Sequence, residues 1–504
     1  MTAWLDALLG RVTMYRLVLL SLVVLVAAAL VFSMLGVVQP GTAGTIGMLM
    51  SVAVLLATSY VVNRLLALIF RIRPHSESTL ITAGLLFFIL TPRNDLVGLG
   101  ALALAATIAV ASKYLLAFRG RHIFNPAAAG AFAIGLTGLS FGQWWVGTVW
   151  LLPFVAVCAF LILFRTRRLP MGGVYLAVGL ALGVFFYLRL GTPIDSGLQI
   201  ILLSSPLVFF AGFMLTEPLT LPPRRWQQLV YAGIAAALYY GVAYSFGPIY
   251  NSPEFALLVA NLLAFLVGQR RGIHLEFAGR RQLSPSSWEF DFRPRRPVSF
   301  RPGQFMELSL PHTKTDSRGW RRVFSIASGP GEVLRFGIRL PEKSSSFKRA
   351  LLALEPGAKV SATSVGGDFL LPEDPARPLL LVAGGIGITP FIGHLEQAAA
   401  ESGGRDIAVV YAISSPDDLA YAAQLEQAGC RVAVASAEEP KNLPAGWTWI
   451  GPDRLSGKSL LAAVPDAVKR DAFLSGPPAM VSTLKKALRT AGVRHIHTDV
   501  FVGY

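Results

Sequence analysis

The pattern of hydrophobic and polar positions changes character at about residue 270. Before it, apolar residues run on in long stretches, near the roughly 20 residues that a helix needs to cross a bilayer. Ten stretches are predicted as spans: 14–38, 45–70, 79–91, 95–117, 125–140, 144–165, 172–189, 198–216, 226–247 and 253–269. The third, fifth and eighth are short or interrupted by Gly and Pro. After residue 270 apolar and polar positions alternate, as in Ile273, Leu275, Phe277 and then Trp288, Phe290, Phe292, with Arg301-Pro-Gly-Gln304 as punctuation. That is the signature of a small antiparallel barrel. From about 373, strands alternate with helical segments: 379–383, 390–401, 406–413, 417–428, 430–435, 458–469, 471–475 and 478–491. A βα succession of this kind builds a parallel sheet with crossover helices. The expected architecture is multi-domain: a polytopic α-helical membrane domain over 1–270, an antiparallel β-barrel over 271–372 and an α/β parallel-sheet domain over 373–504.

Charge sharpens this picture. Only 15% of residues are charged, mean hydropathy is +0.55 and the net charge is +16. Most positive charges of the first half fall in alternate loops, the intervening ones carrying chiefly Arg93 and Arg189. Arg11 and Arg16 precede the first span, and Arg71 and Arg73 follow the second. Lys113, Arg119 and Arg121 follow the fourth, and Arg165, Arg167 and Arg168 the sixth. Arg224 and Arg225 follow the eighth, and Arg270 and Arg271 the tenth. Under the positive-inside rule this alternation puts both termini, and the soluble half, in the cytoplasm. It also accounts for much of the charge without a nucleic-acid partner. The start, Met1 to Gly10, has no charged n-region and no small-residue cleavage site, so a retained membrane helix is expected rather than a cleaved signal. Two cysteines cannot supply the four thiolates of an iron–sulfur cluster. The only histidines before residue 270, His75 and His122, lie outside the spans, where they cannot pair across a haem.

An internal repeat runs through the first half. Thr91-Pro92 ends one short span and Asn125-Pro126 begins another; Thr216-Glu217-Pro218 and Asn251-Ser252-Pro253 reproduce the pair further on. Five spans per copy require the second copy to be inverted, and inverted repeats with broken helices place a site near the midplane. Glu217 and Glu254, near helix ends, are candidates for proton or ion passage, with capping as their plainer role.

These residues carry a resemblance. Ile81-Thr-Ala-Gly-Leu-Leu, Ile123-Phe-Asn-Pro-Ala-Ala-Ala-Gly130, Phe213-Met-Leu-Thr-Glu-Pro-Leu-Thr220 and Ala256-Leu-Leu-Val-Ala-Asn261 resemble the NqrB/RnfD family over about 45–268. These are the flavin-bearing membrane proteins of the sodium-translocating NADH:quinone oxidoreductase and of the Rnf complex. The likeness implies a ten-helix domain that binds flavin and passes electrons, with Asn125, Pro126, Thr216 and Glu217 as candidate flavin contacts. Arg189-Leu-Gly-Thr-Pro-Ile-Asp-Ser-Gly197 lacks the family's Ser-Gly-Ala-Thr attachment motif, and Thr192 is a poor substitute. That argues against covalent FMN and leaves a non-covalent FMN or riboflavin, or no membrane flavin, as the alternatives.

The second half is organised around Leu381-Val-Ala-Gly-Gly-Ile-Gly-Ile-Thr-Pro390. A buried strand breaks into a turn at Gly384, Gly385 and Gly387, and a helix opens with Thr389 expected as N-cap and Pro390 in the first turn. Bare glycines and a helix N-terminus offer N–H donors to a phosphate. Arg321-Arg-Val-Phe-Ser325 puts Arg322 and Phe324 on one strand face and Val323 and Ser325 on the other. A guanidinium suits a pyrophosphate, an aromatic suits a ring and a hydroxyl suits a ring nitrogen. Lys343-Ser-Ser-Ser-Phe-Lys348 opens a predicted helix over 347–354, and Ser475-Gly-Pro-Pro-Ala-Met480 is a second glycine–proline turn at a strand end.

In this order the motifs resemble the ferredoxin–NADP reductase superfamily over about 271–504. The resemblance implies FAD on the barrel, with Arg322, Phe324 and Ser325 at the flavin and Ser345 and Ser346 near its pyrophosphate. It implies a nicotinamide dinucleotide at Gly384, Gly385, Gly387, Thr389 and Pro390 and at Ser475, Gly476, Pro477 and Met480. The ending Asp499-Val-Phe-Val-Gly-Tyr504 makes Phe501 or Tyr504 a candidate flavin lid, and Ser325 and Asp499 the candidate catalytic residues. The family's Cys-Gly-Pro reads Ser475-Gly-Pro here. Asp417 and Asp418 after the second strand favour NADH over NADPH, because they repel a 2′-phosphate. The expected protein oxidises NAD(P)H through FAD and feeds a flavin or quinone in the membrane domain, with a quinone or extracytoplasmic acceptor beyond it. The alternatives are an anchored quinone reductase and a redox-driven ion transporter. No resident metal is expected.

Overall fold

The computed structural model describes residues 9, 12–70, 76–118, 121–246, 249–268, 273–313, 316, 320–341, 344–362, 365–401 and 404–501. Contacts divide the chain into two units, Val12–Arg271 and Met1–Arg11 with Gly272–Tyr504.

The first unit is helical. Four apolar runs form helices long enough to cross a bilayer: α1 (Met14–Met34), α2 (Gly44–Ile69), α4 (Leu96–Leu115) and α7 (Leu169–Arg189). Shorter apolar helices are α3 (Ser76–Ile89), α5 (Pro126–Thr137), α6 (Leu152–Arg165) and α11 (Pro253–Val267). The expected span 198–216 is bent by 51° between α8 (Ile194–Gln199, wound on to Ser204) and α9 (Leu207–Phe209, wound on to Met214). Pro206 stands at the break, where it removes a donor from the helical ladder. The ninth run forms α10 (Arg225–Ala236) with a wider last turn to Gly241.

The sixth run starts later than expected, at Leu152. Its first residues serve α3 instead. The Trp145 indole donates to Phe87 O at 2.7 Å and Leu90 O at 3.1 Å, and the Gln143 and Trp144 amides donate to Ile89 O. These bonds satisfy carbonyls that a helix end leaves without partners. The two halves repeat a packing pattern. α1 lies on α3, α2 on α4 and α4 on α5; α6 lies on α9, α7 on α10 and α10 on α11. Asn125 caps α5 by accepting from the Ala127 and Ala128 amides. In the second copy the cap is Ser252, which accepts from the Phe255 amide, whereas Asn251 donates to Tyr239 O. The expected Asn125–Asn251 equivalence is therefore displaced by one residue.

The second unit holds two six-stranded sheets. The antiparallel one joins β1 (Ile273–Ser284), β2 (Ser287–Pro294), β3 (Phe305–Ser309), β4 (Arg321–Ser325), β5 (Leu334–Arg339) and β6 (Lys359–Ala362) in the order β4-β3-β6-β1-β2-β5. A bond from Ala327 N to Arg335 O brings its edges together. Alternate apolar residues of β1, β2 and β5 point inward, so Phe277, Phe290, Phe292 and Phe336 form the core with Phe347 of α12 (Ser346–Leu352).

The parallel sheet comprises β7 (Leu379–Gly384), β8 (Ile407–Ala412), β9 (Arg431–Ala435), β10 (Thr448–Gly451), β11 (Asp471–Gly476) and β12 (Ile496–Val500), in the order β10-β9-β8-β7-β11-β12. Residues of β7 are buried from both faces, which is why that strand reads as a continuous apolar run. Leu379 and Leu381 pack towards α13 (Thr389–Ala400) and α14 (Ala422–Gln427). Leu380 and Val382 pack towards α15 (Gly457–Ala463) and α16 (Pro478–Thr490). Strands β10 and β12 were not among the expected elements. The helix expected over 458–469 ends at Ala463, two residues before Pro465, because a proline disfavours helical backbone in the residue before it. The helix expected over 417–428 keeps only Ala422–Gln427, preceded by Tyr421 in a left-handed conformation at φ 62°.

Candidate functional site

The order of the parallel sheet locates a crevice. The chain leaves β7 towards β8 on one side and returns on the other with β11, so the carboxyl ends of β7 and β11 flank a switch point. Both glycine turns lie there. A Cβ on Gly384 would stand 2.7 Å from Met480 Sδ and 2.8 Å from Pro477 Cδ, and one on Gly387 would stand 2.6 Å from Ser475 O. Glycine at 384 and 387 thus lets the two turns touch. Gly385 is different: its φ of +53° favours glycine, and nothing lies within 4 Å of where its Cβ would be. That open backbone is the place for a ligand to approach.

The helix start differs from expectation. Residues Gly385–Ile388 form a 3-10 turn, and α13 begins at Thr389 itself with Pro390 in its first turn. The Thr389 hydroxyl donates to Ile386 O at 3.0 Å rather than accepting from the helix. It is not the N-cap, because the tight turn already carries the chain into helical geometry before it.

The barrel brings its own groups to this crevice. Phe305–Ser309 pairs antiparallel with Arg321–Ser325, and β4 alternates as anticipated: Arg322 is buried and Val323 exposed. Ser325, on the face of Val323, is nevertheless buried, because Asp499 of β12 covers it. The Ser325 hydroxyl donates to Asp499 Oδ2 at 3.3 Å, across 174 positions of chain. Ser475 lies beside Asp499 in the β11–β12 register, and its hydroxyl is buried without a hydrogen bond. Three polar side chains thus meet at the end of the switch point. Phe501 is tied to the same turn through its amide, which donates to Gly476 O at 2.9 Å. Tyr504 lies outside the described residues.

Arg322 carries its guanidinium over the Phe347 ring at 5.4 Å, and Phe324 contacts the same ring at 5.9 Å. The two serines expected at a pyrophosphate are engaged otherwise. The Ser345 hydroxyl accepts from Lys348 N, while Ser346 N donates to Asp316 Oδ2 and Ser346 Oγ accepts from Asp316 N, both at 2.9 Å. A carboxylate stands where the phosphate was expected. Asp418 is also committed. It accepts from the Ser286 hydroxyl at 2.7 Å and from Ser284 at 3.3 Å, with Arg339 3.9 Å away. The charge argument against a 2′-phosphate therefore rests on Asp417 alone.

Residues 381–486 match the family described as oxidoreductase NAD-binding domain. The second half carries an NAD-binding domain. The toluate 1,2-dioxygenase electron transfer component of Pseudomonas putida is 30% identical over 237 residues, which is 45% of this chain and 66% of that protein. The glycine betaine monooxygenase reductase subunit of Chromohalobacter salexigens is 26% identical over 223 residues, 42% of this chain and 59% of that protein. The chain thus spans under two thirds of the length of either relative. Among solved structures, the Amycolatopsis cytochrome P450 reductase aligns with 46% of this chain and 70% of its own at 24% identity, with a TM-score of 0.40.

The groups at the switch point suit the NAD-binding domain's ligand: an open glycine backbone, a buried hydroxyl in need of a partner and a nearby carboxylate. On the barrel side Arg322 and Ser325 suit FAD, while Asp316 holds Ser346 and stands 3.9 Å from the Arg322 guanidinium. One residue that the motifs did not single out is His394 of α13. It is fully buried, its Nε2 lies 2.9 Å from Phe369 O, and burial lowers its pKa from 6.5 to about 4. Its position in an amphipathic helix gave no sign of this, since only the packing of Phe369, Phe391 and Phe473 encloses the ring.

In the helical unit, Asn125, Pro126 and Glu217 line one cavity with Ser78, Thr82 and Phe213. Glu217 Oε1 lies 2.8 Å from His122 Nε2, and its Oε2 is buried without a hydrogen bond. Thr216 is absent from the lining; in the turn after Met214, its hydroxyl donates back to Gly212 O. The cavity measures about 30 Å³, room for about two waters. The enclosed space among these residues is smaller than a flavin.

Proposed function

We propose that the chain is a membrane-bound flavoprotein oxidoreductase. It takes hydride from NAD(P)H onto FAD at the crevice above β7 and β11, and passes electrons to a quinone or flavin of the membrane domain, for delivery to an acceptor outside. The domains are 1–270 for the membrane, 271–372 for FAD and 373–504 for the dinucleotide. The observation that carries this reading is the Ser325–Asp499 contact, with the Ser475 hydroxyl beside it. It joins a barrel strand to the last parallel strand where the two glycine turns meet.

Bound FAD would supply the conversion of a two-electron donor into single electrons. The chain's own residues supply position and charge. Gly385 leaves its backbone open to the dinucleotide, and Met480 and Pro477 close the turn behind it. Arg322, held over Phe347, balances a pyrophosphate. The Ser325 hydroxyl, backed by Asp499, can hold a proton at a ring nitrogen that gains and loses one. Ser325→Ala and Asp499→Asn should each lower the rate of flavin reduction by about 10- to 100-fold in stopped-flow traces, with nucleotide affinity little changed. Losses that multiply fully in the double variant would refute a shared role.

The likeness of 45–268 to flavin-bearing membrane subunits and the repeated helix packing support electron flow through the membrane domain. The water-sized cavity favours a second reading, an anchored NAD(P)H:quinone reductase without transmembrane flow. Vesicles with the full chain, NADH outside and a trapped impermeant dye inside, separate the two. Dye reduction supports transfer across the membrane; NADH consumption with added quinone and no dye reduction supports the second.

A further inference from the structure

The amino-terminal edge of the parallel sheet, opposite the glycine turns, opens a cleft of about 420 Å³. Parallel strands bring their starts to the same edge, and the Ala472–Ile496 pairing sets Arg470 and Asp471 beside Arg494 and His495. Six charged or titratable side chains line the cleft: Arg377, Lys469, Arg470, Asp471, Arg494 and His495. Two cations are already engaged. Arg377 pairs with Asp471 at 3.0 Å, and Arg470 is buried between Asp406 and Asp466 at 2.6 Å from each.

Lys469, Arg494 and His495 remain, exposed on the cleft and without an ion pair among the described residues. The backbone is held at two of them: Lys469 N donates to Asp466 O, and Ala472 N donates to His495 O, both at 2.9 Å. Three positions present Lys469, Arg494 and His495 to one concavity, where the lysine and arginine charges repel unless an anion joins them. The ordinary alternative is a solvated basic surface. Such a surface spreads its charges, whereas this one gathers them around a hollow far larger than one phosphate requires.

We propose that this cleft is a second anion site that binds a phosphate ester, drawn from a soluble metabolite or from the headgroup of an anionic phospholipid. It is separate from the dinucleotide crevice, since β7 runs from Leu379 beside the cleft to Gly384 at the turn, roughly 17 Å of strand. Lys469 and Arg494 contribute charge-assisted bonds, and His495 adds a donor.

The test uses the full chain in phosphatidylcholine nanodiscs, titrated with inorganic pyrophosphate in a calorimeter. Wild type should bind about one equivalent, each of Lys469→Gln, Arg494→Gln and His495→Gln should weaken binding by about tenfold, and the triple variant should not bind. All three side chains are exposed, so unchanged melting temperatures are expected, and Lys469→Arg should retain affinity. Saturating NADH should leave pyrophosphate binding unchanged. Replacing part of the lipid by phosphatidic acid identifies the source: a tenfold weaker pyrophosphate response points to a headgroup, an unchanged one to a soluble ester. No binding by wild type, undiminished binding by the triple variant, or displacement by NADH would overturn the proposal.

Discussion

His394 offers a prediction whose size follows from its surroundings. The ring sits among Phe369, Phe391 and Phe473, with Nε2 2.9 Å from Phe369 O and Nδ1 buried without a hydrogen bond. Packing is tight on the Nε2 side, where a Cβ on Gly303 would stand 2.3 Å from the nitrogen. The neutral tautomer that donates from Nε2 suits this place; a second proton, on Nδ1, would have only the Pro302 backbone to meet it. Burial is the main cause that lowers the pKa from 6.5 to about 4, offset in part by the backbone of Phe369 and Pro302. Between these values the unfolded chain binds a proton that the folded chain refuses. Stability is therefore complete above pH 6.5 and is lost as pH falls towards 4. The full loss is about 3 kcal/mol, and between pH 8 and pH 5 it is about 2 kcal/mol. His394→Gln keeps a donor near Nε2 and abolishes the titration. Urea unfolding of the second unit in the detergent-solubilised full chain, followed by near-UV circular dichroism, should show the variant losing about 2 kcal/mol less than wild type between pH 8 and pH 5. Carboxylates contribute equally to both proteins and cancel. Parallel pH profiles would refute the neutral, buried placement of this ring.

Two further outcomes test the crevice and its foundation. Gly387→Ala places a Cβ 2.6 Å from Ser475 O and 2.8 Å from Gly476 Cα, so thermal melts should show a loss of about 1–3 kcal/mol, and kinetics a raised KM for NAD(P)H. Gly385→Ala, with open space but a left-handed backbone, should cost only about 1 kcal/mol. Equal losses would contradict the contact between the turns. Arg470→Met removes a cation that bonds Asp406, Asp466 and the carbonyls of Leu379 and Asp406. Both acids reach solvent, so calorimetry should find about 2–3 kcal/mol lost, at the low end of what breaking a buried pair costs. The same bonds hold the Asp466 carboxyl below its usual pKa range, and carbon-13 NMR should find it raised in this variant; an unmoved carboxyl would refute the pairing.

What the chain alone determined is local. The apolar run of β7, the glycines after it, the alternation of β1 and β2 and the prolines at helix starts are each properties of a few neighbouring residues, and periodicity expresses them directly. β10 and β12 escaped because edge strands need little apolar character, and the late start of α6 escaped because Trp144 and Trp145 look like membrane residues until α3 claims them. Tertiary structure alone decided how distant groups pair. Ser325 meets Asp499, Asp316 occupies Ser346, Asp418 turns to Ser284 and Ser286, and His394 is buried. None of these is written in a window of sequence, because each depends on which surfaces the strand order brings face to face, and desolvation exists only once both surfaces have arrived.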